Sequence, residues 1–412
     1  MKIVIIGGGP AGLMSAFFAK NNSNQVVILE RNEKLGKKLY ITGKGRCNVT
    51  NEKCVGQDFL NNVVTNPKFL FSAISSFDYF DVVDFFEGNG CKLKVERGGR
   101  VFPVSDKASD ITKALTKAVE KKGVEIEFDT RVSSIKKTGD IFCLQTNNGE
   151  FVCDKVILAT GGKSYPTTGS TGDGYSLAKS LGHNILPPKP SLVAIKLKND
   201  VSSLEGLSLK NVELRLVRDK KVLHKFFGEA LFTDKELSGP IALSMSAHLP
   251  HLSHQDHKLF LDFKPYMSDI ELDQRLQKEF DQNKNSEIQT VLKNLLPSRL
   301  VPVVLEKCQI AQNTKIHSVT KPQRLTISNV LKNYELEFEV SEDFERAVVT
   351  TGGVDTKEIN AKTMESKICE GLFFAGEVID VDAYTGGFNI QIALSTGCLA
   401  GKNARGEDDY CN

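Results

Sequence analysis

The residues whose types and spacing could do chemistry begin six positions into the chain. Gly7-Gly8-Gly9-Pro10-Ala11-Gly12 follows the apolar run Ile3-Val4-Ile5-Ile6, and Glu30 closes the next apolar run, Gln25 to Leu29. A glycine at the first position permits a tight turn, and Gly9 lets backbone approach a pyrophosphate. Gly12 lets a helix pack against the preceding strand. The helix that follows, with Pro10 and Ala11 in its first turn, presents free N–H groups and a positive dipole end to phosphate oxygens. Glu30 stands where a carboxylate can accept hydrogen bonds from both hydroxyls of an adenosine ribose. The chemistry implied is dinucleotide binding. A second glycine site lies near the other end of the chain, at Gly376-Glu377 with Asp380, followed by Gly386-Gly387-Phe388-Asn389 at the head of an apolar helix.

These residues need a parallel α/β scaffold to bring them together. Lys2 to Ile6 reads as a buried strand, Leu13 to Lys20 as a helix and Gln25 to Leu29 as a second strand. Arg31 to Asn51 is a loop carrying Lys34, Lys37, Lys38, Lys44 and Arg46 against the single acid Glu33. Its Thr42-Gly43-Lys44-Gly45-Arg46-Cys47-Asn48 core suits backbone wrapped around an anionic group. Asp106 to Lys121 is an amphipathic helix. Val124 to Phe128, Arg131 to Lys136, Ile141 to Gln145 and Phe151 to Cys153 alternate as strands of a small inserted sheet. Lys155 to Leu158 is a buried strand running into Ala159-Thr160-Gly161-Gly162. Pro187-Pro188-Lys189-Pro190 marks a domain boundary. Beyond it, antiparallel strand patterns and short helices form a second domain. Buried-strand character returns at Ala347 to Val354 and Gly371 to Phe374. The expected domains are 1–190 with 345–412, and an inserted 191–344 whose helical part spans about 268–331.

The 412 residues carry 53 Lys and Arg against 51 Asp and Glu, a net charge of +2, which neither requires nor excludes a nucleic-acid partner. No apolar run approaches a membrane span of about 20 residues, and the cytoplasm is the expected location. Nine cysteines without a C-x-x-C pair read as free thiols and argue against a disulfide reductase. His248, His251, His254 and His257 recur every third residue. That period drifts about 60° per step around a helix, and Pro250 interrupts it, so a solvated turn is expected there and no metal site.

The glycine turn, Glu30, the Thr42 to Asn48 loop and Ala159 to Pro166 are joined by Arg100-Val101-Phe102-Pro103, Gly169 to Gly174, Leu231 to Thr233 with Ser238 to Pro240, and Phe374 to Gly387. Together they closely resemble the BaiN/RdsA family of FAD-dependent oxidoreductases, over nearly the full length. Lys44 departs from the glycine of the family pattern. The resemblance implies an α/β fold: a glutathione-reductase-like FAD-binding Rossmann domain with an inserted β-barrel plus helical domain. It implies FAD held by Gly7, Gly9, Pro10, Ala11, Gly12, Glu30 and Arg31. Lys38, Thr42, Gly43, Arg46, Cys47 and Asn48 would lie along it, with Val132, Thr160, Gly161 and Gly162 on the adenosine side. Gly376, Glu377, Asp380, Gly386, Gly387, Phe388 and Asn389 would face the ribityl and flavin. No second dinucleotide fingerprint exists, so NAD(P)H would bind transiently as donor at the flavin face, or another donor would reduce FAD.

The implied reaction is reduction of a C=C bond, either uridine to dihydrouridine in ribosomal RNA or an unsaturated steroid such as a bile-acid intermediate. Amine oxidation with oxygen as acceptor and a non-catalytic ribosome-associated flavoprotein are the competing readings. Neither a membrane nor a metal partner is expected. Reducing a C=C bond needs a positioned acid. Cys47, Tyr165 and Tyr384 are the candidates.

Overall fold

The computed structural model describes residues 1–252 and 256–406. The chain forms two compact units, one of residues 1–191 with the segment from 342 onward, the other of residues 192–341.

The first unit is built on a parallel sheet of β1 (Lys2–Ile6), β2 (Gln25–Leu29), β3 (Glu125–Glu127), β4 (Lys155–Leu158) and β6 (Leu372–Phe374), in the order β6-β4-β1-β2-β3. Its inner strands are near-continuous Val, Ile, Leu and Phe, as sheets covered on both faces require, and Ile3, Ile5, Ile28, Ile157 and Phe374 are wholly buried. The chain lays β2 and β3 on one side of β1, then returns to place β4 and β6 on the other. The order therefore reverses between β1 and β4, and a ligand crevice is expected at the carboxyl ends there. Gly7, Glu30, Ala159 and Ala375 are the residues that follow those strands.

Two expectations about strands are corrected. The Val124 to Phe128 run does not join the small inserted sheet: its β3 core pairs in parallel with β2, Val27 opposite Glu125. An edge strand has one wet side and alternates like an antiparallel one, which disguised it. The inserted sheet is a meander of three strands, Val132–Thr138, Ile141–Thr146 and Gly149–Cys153. Second, Pro187 to Pro190, read as a domain boundary, lies within a strand that ends where the two units divide, at Ser191. Ile185–Ser191 runs antiparallel to β5 (Val349–Val354), with a register shift between Leu186 and Lys189 that takes up Pro187 and Pro188. Proline is tolerated in such a two-stranded ribbon because each strand is an edge and the bulge needs no ladder N–H.

Helix α1 (Pro10–Ala19) packs against α3 (Phe388–Ala404), with close backbone approach at two glycines. A Cβ on Gly397 would sit 2.4 Å from the Ala11 carbonyl oxygen, and one on Gly401 would sit 2.4 Å from that of Ser15. These two glycines bring the carboxyl-terminal helix onto the helix that opens the fold.

The second unit is a seven-stranded antiparallel sheet with its own core. Its outermost strands, Tyr334–Leu336 and Phe338–Glu339, are separated in the chain by Glu337 alone. The sheet must therefore curl until its edges meet, which makes it a barrel. Helices Asp269–Gln282, Ile288–Leu292, Leu300–Lys307 and Lys321–Lys332 form the helical part, and the sequence reading missed the helix Pro240–Ser246. Among the described residues no helix is long and apolar enough to cross a membrane. The histidine turn is only partly solvated. His248 stacks on His224 at 3.6 Å, and its burial pushes the imidazole down to about 4. His257 is buried, His251 is exposed, and His254 lies outside the described residues.

Gly397→Ala is expected to cost about 1–3 kcal/mol of stability by overpacking against the α1 backbone. Chemical denaturation measures it, and an unchanged midpoint would contradict the close packing.

Candidate dinucleotide site

The glycine turn divides its labour. Gly7 has φ +107°, and a Cβ there would sit 2.6 Å from the Ala159 carbonyl oxygen. A Cβ on Gly12 would sit 1.8 Å from the Gly7 carbonyl oxygen. Both are required by the fold itself. A Cβ on Gly9 would meet nothing within 4 Å. Gly9 is the N-cap of α1, no side chain caps it, and Pro10 occupies the first turn. The helix therefore opens its positive end into free space, which is the cradle a pyrophosphate fits.

Glu30 is buried beside this turn. Its Oε2 accepts the Gly8 N–H at 2.7 Å, and its Oε1 accepts the Asn32 backbone N–H at 2.8 Å and the Asn32 Nδ2 at 2.7 Å. A carboxylate offers about four acceptor positions. Three of these are filled by the protein, and acceptor capacity remains on the carboxylate. Arg31 donates to Thr171 Oγ1 at 2.6 Å and Asp173 Oδ2 at 3.2 Å, and Arg131 donates to Asp173 at 2.7 Å. Asp173 opens helix α2 (Asp173–Ser180). Asn32, Thr171 and Asp173 were not singled out from the sequence, although Asp173 sits inside the Gly169 to Gly174 motif. Val132 opens the meander, next to Arg131.

At the end of β4, Gly161 has φ +74°, and a Cβ on Gly162 would meet Thr350 Oγ1 at 2.5 Å. The Thr160 hydroxyl is buried without a hydrogen-bond partner, as is the Tyr175 phenol. On the far side three acids stitch their loop to β5. Glu377 accepts the Thr350 N–H at 2.8 Å, Asp380 the Gly352 N–H at 2.9 Å and Asp382 the Thr351 hydroxyl at 3.1 Å. Asp380 also accepts Asn66 Nδ2 at 2.9 Å. The carboxylates of Glu377 and Asp380, expected to face a ribityl chain, are thus engaged by the protein. Gly376 packs on Ala11: a Cβ there would sit 2.8 Å from the Ala11 Cβ.

The basic loop is mostly neutralised. Lys37 pairs with Glu33 at 3.3 Å and Lys38 with Glu377 at 2.8 Å. Arg46 pairs with both Glu96 and Asp106, whose hydrogen bonds push its pKa up, and lies over the Phe102 ring at 4.1 Å. Lys34 lies over Tyr40 at 4.8 Å. Lys44 is exposed with φ +58°, a backbone conformation that suits the glycine of the family pattern. Thr42 Oγ1 donates to the Leu39 carbonyl at 2.7 Å, and Asn48 Oδ1 accepts the Val101 N–H at 3.1 Å. Gly43 has φ +55°.

Cys47 is corrected as a proton donor. Its side chain is 0 % exposed within the core, and burial pushes the thiol up to about 12. Arg46 is committed to acids, so no cation favours the thiolate, and no substrate can reach the sulfur. Tyr165, with φ +52°, and Tyr384, whose phenol is pushed up by burial and Asp382, are each half-buried.

The α3 terminus is held tightly by its neighbours. A Cβ on Gly387 would strike the Thr50 carbonyl oxygen at 2.3 Å, and Gly386 has φ +124° beside the buried Phe388. Asn389 accepts the Ala383 N–H at 2.9 Å and donates to the Ala383 carbonyl at 2.7 Å. Its amide clamps a turn. An aspartate there would set a carboxylate against that carbonyl and break the clamp.

Among the described residues there is no group of three or more His, Cys, Asp or Glu placed to hold a metal ion, and eight cysteines are free thiols.

The chain matches the HI0933-like protein Rossmann domain family over residues 1–403. A 3-dehydro-bile acid delta(4,6)-reductase of Clostridium scindens is 32% identical over 98% of both chains. A ribosomal RNA dihydrouridine synthase of Escherichia coli is 31% identical over 95% of both. The solved 3-ketosteroid-delta4-(5alpha)-dehydrogenase of Rhodococcus jostii RHA1 superposes with a TM-score of 0.52 at 15% identity, over 98% of this chain and 96% of that one. That likeness speaks to the fold.

Two outcomes follow from the geometry. Gly9→Val is expected to fold with an unchanged melting temperature in the ligand-free state and to lose dinucleotide retention. Gly12→Val is expected to fail in folding itself. Retained dinucleotide in Gly9→Val would contradict the placement of the cradle. Cys47, Cys54 and Cys153 each have a thiol pushed by burial from 9.0 to about 12. Folded pKa values above the unfolded ones stabilise fully below pH 9.0, and that contribution is lost as pH climbs towards about 12. The melting temperature is expected to fall as pH rises from about 9 towards about 12, and Cys47→Ala to flatten the slope. An identical slope in the variant would contradict this.

Proposed function

Because this chain belongs to the HI0933-like Rossmann family, we propose that it is an FAD-dependent oxidoreductase that reduces a C=C bond conjugated to a carbonyl. The observation that carries the reading is the open N-terminus of α1 at Gly9 with Glu30 fixed beside it, a cradle for one dinucleotide. The names of the relatives supply the substrate class. A 3-dehydro-delta(4,6) bile acid and the uracil ring share an electron-poor C=C bond in conjugation with a carbonyl. Such a bond accepts hydride at the β carbon and a proton at the α carbon.

Gly7 to Gly12 and Glu30 would hold the pyrophosphate and adenosine ribose, and the 42–48 loop and the α3 terminus would lie towards the isoalloxazine. Once bound and reduced by a donor, FAD would supply the hydride. Reduced nicotinamide is the proposed donor, binding transiently because the chain has one dinucleotide fingerprint. The phenols of Tyr165 and Tyr384 remain as proton donors, since Cys47 reaches no surface. The neutralised basic loop removes a reason to favour RNA over a steroid, and the proposal rests on the chemistry the two share.

The test separates the half-reactions. Anaerobically reduced protein is expected to be reoxidised by a 3-oxo-Δ4 steroid or by unmodified ribosomal RNA, and not by an isolated alkene. The responding substrate identifies the source. In Tyr165→Phe or Tyr384→Phe, reoxidation is expected to slow by roughly 10²–10⁴-fold, with reduction by nicotinamide unchanged. Steady peroxide production with an amine, and no reoxidation by either conjugated substrate, would overturn the proposal in favour of amine oxidation.

A further inference from the structure

Lys38, Ser164, Thr350 and Glu377 come from four separate stretches and meet in one cluster. Lys38 caps the 3-10 turn Leu39–Gly45 that begins the basic loop after β2. Ser164 follows β4, Thr350 lies on β5 and Glu377 follows β6. The Lys38 Nζ donates to Glu377 Oε2 at 2.8 Å and to Ser164 Oγ at 2.6 Å. Ser164 Oγ donates to Glu377 Oε1 at 3.0 Å, and the Thr350 N–H donates to the same oxygen at 2.8 Å. Thr350 Oγ1 in turn accepts the backbone N–H groups of Lys163 and Ser164 at 2.9 and 3.1 Å.

The two halves of this cluster differ in kind. Glu377 is fixed from its own side of the sheet, since Ser164 and Thr350 hold it whether or not Lys38 is present. Lys38 comes from the β2 side on a four-carbon stem, and it is the only member of the cluster from that side. The sheet order reverses between β1 and β4, so the Lys38–Glu377 pair ties together the two sides of the ligand crevice at the strands' carboxyl ends. The far end of the same loop is pinned separately, by Arg46 on Glu96 and Asp106. The pair's side chains are each 21% exposed, so water and salt can reach it.

We infer that Lys38 and Glu377 form a latch across the dinucleotide crevice. The closed ion pair holds the near end of the 39–48 loop in place, and opening it lets the cofactor enter and leave. Lys38 and Glu377 are then positioning residues that set the rate of cofactor exchange; their charges are spent on each other and not on the cofactor. The inference rests on the FAD reading above.

The distinguishing measurement is the rate at which FAD leaves the reconstituted holoprotein, followed by flavin fluorescence after dilution into apoprotein trap, alongside the melting temperature of the apoprotein. In Lys38→Met and in Glu377→Gln, release is expected to accelerate at least about tenfold, the loss of about 1.4 kcal/mol of holding free energy. The double variant is expected to release no faster than either single one, because the pair acts as a unit. The charge-reversed pair Lys38→Glu with Glu377→Lys, which keeps an ion pair, is expected to recover part of the slow release. Wild-type release is expected to quicken with ionic strength while that of Lys38→Met does not. If Lys38→Met releases FAD at the wild-type rate, or if the singles accelerate release additively, the latch is overturned. A wild-type chain that takes up no FAD would instead overturn the cofactor reading, which separates the two failures.

Discussion

The first unit depends on how closely the opening helix sits on the opening strand. A Cβ on Gly12 would lie 1.8 Å from the Gly7 carbonyl oxygen, so α1 must start directly above the end of β1. That closeness puts the helix N-terminus at the carboxyl end of the central strand, where its uncapped N–H groups face the crevice. The contact is sealed from behind. Gly397 and Gly401 bring α3 onto the α1 backbone, and Gly376 brings the end of β6 onto Ala11. The two ends of the chain are thereby tied to the same helix, which explains how a unit interrupted by 150 residues of inserted chain stays whole.

Charge at the strands' carboxyl ends orders the protein itself. Glu30, Glu377, Asp380 and Asp382 are four acids near the strand ends, and each accepts protein donors. Buried or half-buried carboxylates are costly unless they are paired or hydrogen-bonded. Here the donors come from segments far apart in sequence, so satisfying each acid also fixes the relative position of two strand ends. Glu30 retains acceptor capacity beyond its protein donors. Among the described residues, the buried side-chain hydroxyls of Thr160 and Tyr175 have no hydrogen-bond partner.

What the sequence revealed divides along physical lines. The glycine turn and the apolar strands were legible because a glycine's use is local: its spacing states which backbone must pass close to which. The parallel sheet followed from runs too apolar to alternate. Antiparallel strands and short helices in the second unit followed from the patterns beyond residue 191, while its closure into a barrel was implied by the resemblance alone. The strand through Pro187 and Pro188 was hidden because proline signals a break, and only the bulged edge position of this ribbon lets it stay in a strand. Partner choice among side chains was not legible. Cys47 and Asn389 have types that could do chemistry, yet the first is sealed in the core and the second clamps the Ala383 turn. Lys38 and Arg46 read as free cations, but their acids lie more than three hundred residues away in one case and about fifty in the other. Thr350, which orders the β4 and β6 ends, carries no sequence signal that marks it.

Native mass spectrometry of the purified chain tests the central claim most directly. One non-covalent FAD per chain, released on acid denaturation together with the yellow colour, is the predicted result. A folded protein that carries no flavin and gains none when incubated with excess FAD would contradict the account.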